Sequence, residues 1–147
     1  MSQRPAVDAA PAGHSRLYSP RCSAYARRMD AGDPRSLAEK QCIPCRGGVP
    51  PLSAERVEVF RRQVSPEWTV VNGHHLEREI RVKNFREAMA LANRIGEIAE
   101  SQGHHPDLLV QWGKVKVTLF THKIDGLHEN DFIMAARIDA LLAPSVP

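Results

Sequence analysis

Apolar residues recur at two different spacings from Ser53 onward, and the switching between those spacings predicts the order of elements. The stretch "AERVEVFRRQV" carries Val57, Phe60 and Val64 at helical intervals. Ser53 precedes it as an N-cap, Glu55 puts a negative charge in the first turn, and Pro66 ends it. "WTVV" and "LEREIRVK" flank Asn72-Gly73, a dipeptide suited to a tight hairpin turn. Leu76, Ile80 and Val82 then face the core, while Glu77, Glu79, Arg81 and Lys83 face water. Helical spacing returns behind Asn84, which with Glu87 resembles a capping box. Phe85, Ala88, Met89, Ala92, Ile95 and Ala99 form one stripe, widened by Leu91 and Ile98, and Gly103 stops the helix.

Two more strands, "DLLVQW" and "KVKVTLFTH", meet near Gly113. In the second, Val115, Val117 and Leu119 share one face and Lys116, Thr118, Phe120 and His122 the other. A last helix, "ENDFIMAARIDALLA", runs to Pro144. The fold class is α+β, in the order αββαββα: a four-stranded antiparallel sheet with three helices packed on one face. Strand order does not follow from these residues.

Residues 1–36 show no periodicity and are rich in Pro, Ala, Ser, Gly and Arg, which predicts a disordered tail or a start assigned too early, with Met29 as the alternative. The Arg- and Ser-rich run from His14 to Met29 is also compatible with an organelle transit peptide. Residues 37–52, punctuated by Pro44, Gly47, Gly48, Pro50 and Pro51, read as an extended arm, and residues 53–147 as the folded domain.

Charge removes one class of partner. The chain carries +3 overall, but residues 1–28 hold five arginines against Asp8, so the rest is −1 and lacks the basic field that grips nucleic acid. No apolar run is long enough to cross a bilayer, so no membrane partner is expected. Three cysteines cannot close a disulfide set and no secretory leader is visible, which predicts a cytoplasmic location.

The candidate chemistry lies in "GHHPDLLVQW". Pro106 holds His105 out of helical geometry, so His104 and His105 project differently and can line two sides of one hollow. Imidazole is the side chain best matched to giving and taking protons near neutrality. Glu100, four residues before His104, can orient an imidazole or bind a polar substrate edge. The plain alternative is that a His-His pair is a solvated element end, and His74-His75 after the hairpin turn is read that way. Zinc is the other alternative, through Glu100, His104 and His105 or His122, with Cys42 and Cys45 adding a CxxC. A second CxxC or paired-His motif is absent, so no metal is expected. Cys42 and Cys45 lack the strand-to-helix setting of a redox pair, and no glycine-rich phosphate loop points to a nucleotide cofactor.

Glu100-x3-His104-His105-Pro106, followed by Trp112, His122 and Asp131 at fixed spacing, resembles the signature of the pterin-4a-carbinolamine dehydratases. The likeness runs over roughly residues 38–142. It implies an αββαββα fold, a dimer or tetramer of identical chains, no cofactor, and dehydration of 4a-hydroxytetrahydrobiopterin to quinonoid dihydropterin. A functional link to an aromatic amino acid hydroxylase follows, since that enzyme reuses the tetrahydropterin. His104, His105 and His122 would be catalytic, with His105 the principal acid/base group. Glu100, Pro106, Trp112, Thr121, Lys123 and Asp131 would bind or shape the pterin site. Asp131 has two readings, capping the last helix or supporting the site, and the family has Ser or Thr where this chain has His128. A non-catalytic rival exists within the same fold: relatives act in ribulose bisphosphate carboxylase assembly, and an animal member stabilises dimers of a homeodomain transcription factor.

Overall fold

The computed structural model describes residues 34–44 and 47–144, so the expected tail over most of 1–36 falls outside the described residues. The described residues form four helices and four strands: α1 Pro34–Glu39, α2 Ala54–Arg61, β1 Thr69–Val71, β2 His75–Arg81, α3 Phe85–Gln102, β3 Asp107–Gln111, β4 Lys114–Leu119 and α4 Glu129–Leu142, with a 3-10 turn at His122–Ile124 before α4. The sheet order is β1-β2-β4-β3, and every neighbouring pair is antiparallel.

Local signals act where the sequence puts them. The Ser53 hydroxyl accepts from the Arg56 N–H at 3.4 Å and starts α2. Asn72 and Gly73 both take positive φ, +52° and +64°, as a tight hairpin turn of matching twist requires. Asn84 Oδ1 accepts from the Glu87 N–H at 2.9 Å, whereas the Glu87 carboxylate reaches back to the Lys83 N–H at 3.1 Å, one residue earlier than in a capping box. Gly103 closes α3 in the left-handed region at φ +61°.

Burial follows the two periodicities. Leu76 and Ile80 of β2 and Val115, Val117 and Leu119 of β4 are buried on one sheet face, and the same core takes Ala88, Leu91, Ile95 and Ala99 of α3 and Phe132, Ile133, Met134 and Ile138 of α4. Cross-strand pairs Lys116–Glu77 and Lys114–Glu79 cover the opposite face. Phe85 and Met89, expected in the α3 stripe, are exposed, because the stripe that meets the sheet is centred on Ala88, Ala92, Ile95 and Ala99.

Among the described residues, α1 is the helix that the periodicity did not predict. It is six residues long, too short for a stripe, and Pro34 at its first position needs no helical hydrogen bond. Its Leu37 is fully buried in the core. The chain beyond it is tied to α4 by the Lys40–Glu129 pair at 2.6 Å and by Arg137, which donates to the Lys40 carbonyl at 2.7 Å. Asn130 acts as a surrogate strand for Ile43, accepting its N–H at 3.1 Å and donating to its carbonyl at 2.7 Å.

Arg78 sits on the core side of β2, where an alternating strand would place an apolar residue. It pairs with Asp139 and Glu67 and lies over the Trp68 ring, 5.9 Å from its centroid. Asp139 also accepts from the Trp68 indole N–H and the Ser65 N–H, each at 2.8 Å, which gives this half-buried carboxylate a full set of donors.

Candidate active site

The sheet register decides what meets what. Asp107 of β3 lies opposite Thr118 of β4, and Leu119 lies opposite Leu76 of β2. The residues just before Asp107, just after Leu119 and just before Leu76 therefore converge at one end of the sheet. These are His104–Pro106, Phe120–His122 and the hairpin turn bearing His74. The N-terminus of α4 reaches the same end, since Thr121 is bonded to its Asp131.

His104 is anchored most firmly. Its N–H donates to the Ala99 carbonyl at 3.2 Å across the Gly103 cap, which fixes its backbone as the chain leaves α3. The ring is buried, and Nε2 lies 2.6 Å from Asp131 Oδ1. Asp131 is fully buried, and its Oδ2 accepts from the Thr121 hydroxyl at 3.0 Å and from the His128 N–H at 2.8 Å. The last contact, with the Asn130 N–H donating to His128 Nδ1 at 3.3 Å, caps α4. Asp131 thus caps the helix through one oxygen and holds His104 through the other. A carboxylate already accepting from two donors requires Nε2–H on His104, which leaves Nδ1 for proton exchange.

His105 is exposed, and its Nε2 lies 2.9 Å from Glu100 Oε1. Helical spacing put Glu100 beside His104, but His104 already lies past the helix end, and the glutamate meets the next imidazole. Pro106 is half-buried between this pair and β3. His122 opens the 3-10 turn instead of ending the strand; it is exposed, with Nε2 3.8 Å from Asp107 Oδ1 and its ring 4.1 Å from that of Phe120. Lys123 follows in the same turn, which is closed by pairing of Thr121 with Gly126. Trp112 is not brought to this group. It is 75% exposed at the β3–β4 turn, the far end of the hairpin from the histidines, about 16 Å away at 3.3 Å per strand residue.

Asp107, Phe120, Asp125 and His74 were not among the predicted site residues, yet all four touch this end of the sheet. Asp107 sits two residues after His105, and the register that carries it to His122 was the missing information. Two open grooves, of about 470 Å³ beside Trp68 and about 540 Å³ beside Arg78, contain none of the predicted site residues. Chemical convergence, not depth, marks the candidate site.

Among the described residues, no group of three His, Cys, Asp or Glu side chains is arranged to hold a metal ion. Cys42 lies near the site's rear. Burial pushes its thiol up to about 11, with Arg137 opposing and the Asp131 charge reinforcing the shift, so at neutral pH it is a thiol. Its CxxC partner Cys45 lies outside the described residues. No helix among the described residues is long and apolar enough to cross a membrane.

The chain is similar to proteins of one family. A protein of Alkaliphilus metalliredigens provisionally named pterin-4-alpha-carbinolamine dehydratase is 59% identical over 104 residues, covering 71% of this chain and 94% of its own. One of the same provisional name from Rubrobacter xylanophilus is 57% identical over 105 residues, covering 71% and 97%. The crystal structure of a transcriptional coactivator/pterin dehydratase from Brucella melitensis matches with a TM-score of 0.57 at 28% identity, covering 62% of this chain and 97% of that one. The family model described as Pterin 4 alpha carbinolamine dehydratase matches residues 50–141, a span that takes in the histidine pair, the Thr121–His122 turn and the buried aspartate, and the chain belongs to that family.

Proposed function

We propose that this protein is a dehydratase that eliminates water from 4a-hydroxytetrahydrobiopterin and releases quinonoid dihydropterin. The observation that carries the reading is the convergence of His104, His105 and His122 at one end of the sheet, with the first two imidazoles each bonded to a carboxylate. The substrate carries a hydroxyl on C4a beside the N5 amine. One group delivers a proton to the departing hydroxyl, which leaves as water; another removes the N5 proton, and the freed electron pair forms the C4a=N5 double bond. Both transfers suit imidazoles whose protonation changes near neutral pH.

His105 is the principal acid/base group in this reading. It is accessible, and Glu100 fixes Nε2–H as a donor while leaving Nδ1 free for exchange. His104, held by Asp131, which Thr121 fixes in turn, is the rigid second wall, and His122 the third. Pro106 shapes the floor, and Lys123 offers a cation to the pterin's polar edge. Trp112, at the far end of its own hairpin, would take part only from a second chain. An assembly of two or four copies would also cover the exposed Phe85, Met89 and Leu109. The activity gives the protein a part in tetrahydrobiopterin recycling alongside an aromatic amino acid hydroxylase, in the cytoplasm.

Replacing His105 with Ala tests the assignment. Turnover of 4a-hydroxytetrahydropterin should fall by about 10²- to 10⁴-fold, the usual contribution of one acid/base group, with the far-UV circular dichroism spectrum unchanged. Undiminished turnover would reject His105 as that group.

A further inference from the structure

The second histidine pair, His74-His75, has no place in the reading above, yet it is built into the same end of the sheet. His74 Nε2 lies 3.0 Å from Asp125 Oδ1, the residue that ends the 3-10 turn begun by His122. The His74 ring packs 5.0 Å from the centroid of Phe120, and Phe120 packs 4.1 Å from His122 on its other side. Asp125 returns to His122 through the backbone, donating its N–H to the His122 carbonyl at 3.3 Å. The contacts form a closed ring: His122 on Phe120, Phe120 on His74, His74 on Asp125, Asp125 on His122. We propose that His74, through Asp125 and Phe120, is a positioning residue for His122.

This role rests on the dehydratase reading, and little else holds His122. Its side chain is 61% exposed, and the carboxylate of Asp107 at 3.8 Å is beyond hydrogen-bond range. An exposed ring with one loose electrostatic contact samples several rotamers, and a proton-transfer group displaced by about 1 Å loses much of its effect. Phe120 supplies a flat wall for the ring. The short turn is a weak platform by itself, and Asp125 adopts φ +49°, a left-handed conformation that a side-chain bond helps to hold. His74 braces both the wall and the turn.

His74 is itself backed by its neighbour. His74 Nδ1 lies 3.0 Å from His75 Nδ1, and His75 Nε2 lies 3.4 Å from Glu77 Oε1, whose other neighbour is Lys116 at 2.8 Å.

The test reads His122 directly. Proton–nitrogen correlation spectra of the histidine side chains, with the His122 signals assigned from His122→Asn, are recorded on the substrate-free protein as wild type, His74→Ala, Asp125→Ala and His74→Gln. In His74→Ala and Asp125→Ala the His122 signals should shift and broaden while the melting temperature stays within a few degrees. Dehydratase kcat should drop roughly tenfold with KM within about twofold, because placement and not binding is lost. His74→Gln, which keeps a donor for Asp125, should recover most of both. His122 signals unmoved by either substitution would overturn the proposal. A wild-type protein without dehydratase turnover would overturn the pterin reading instead, and the spectra would still decide whether His74 holds His122.

Discussion

The same dipeptide, His-His, occurs twice at one end of the sheet, and its two settings differ in what lies behind them. Behind His104-His105 is the end of α3 and a fully buried carboxylate. Gly103 sets the exit, Pro106 extends the chain, and Asp131 holds the inner ring at 2.6 Å while the outer ring stays exposed beside Glu100. Behind His74-His75 is a two-residue hairpin turn, and the partners, Asp125 and Glu77, are surface carboxylates. A histidine pair alone specifies nothing. One ring fixed in a dry environment and one left accessible make a candidate for proton transfer; two rings bonded to each other and to surface carboxylates make a brace.

The contrast predicts a ranking of damage. Asp131→Ala should be the most harmful change, because it leaves His104, the Thr121 hydroxyl and the His128 N–H without their acceptor. Removing one partner of a buried ionic cluster costs about 3–5 kcal/mol, so the melting temperature should fall by roughly 10 °C or more, with turnover largely lost. A calorimetric scan that finds Asp131→Ala as stable as wild type would erase the distinction between the two pairs. His105→Ala should follow, costing turnover but not stability, and His74→Ala should cost still less turnover.

The smallest effect belongs to the outer support of the second pair. The Lys116 hydrogen bond holds the Glu77 carboxyl below its ordinary value of 4.5, with Lys116 and His75 charges contributing after it. A carboxyl depressed in the folded state contributes stability above its unfolded value that is lost as pH falls through the folded one. Lys116→Ala should therefore flatten the acid side of the stability curve below about pH 4.5 and, the pair being near the surface, cost under about 1 kcal/mol at neutral pH. Urea titrations at pH 7 and pH 4 check both. A loss at pH 7 rivalling that of Asp131→Ala would mean the second pair is anchored as deeply as the first.

Spacing made the sheet and three of the helices legible, because Ser53, Asn72-Gly73, Asn84 and Gly103 each carry a local conformational signal that the fold uses. Helix α1 was not legible, since a single buried Leu37 has no period. The width of the α3 stripe was overread at Phe85 and Met89, because a helical wheel shows an apolar arc but not how much of it a sheet covers. For the candidate site, motif spacing picked out the imidazoles and Asp131, while Asp107, Phe120 and Asp125 were hidden. Those three depend on β4 lying between β2 and β3, a non-local fact that no short window of sequence contains. The double duty of Asp131 was likewise invisible, since capping and site support looked like competing readings until one residue was seen to do each with a different oxygen.

In the proposed function, imidazoles gathered at this end of the sheet dehydrate a pterin carbinolamine. Its most direct test is stopped-flow absorbance, following 4a-hydroxytetrahydropterin generated in the mixing cell in the presence of the purified full chain. Decay to quinonoid dihydropterin should run well above the spontaneous rate, in proportion to protein added and undiminished by a chelator. Decay at the spontaneous rate at every protein concentration would contradict it.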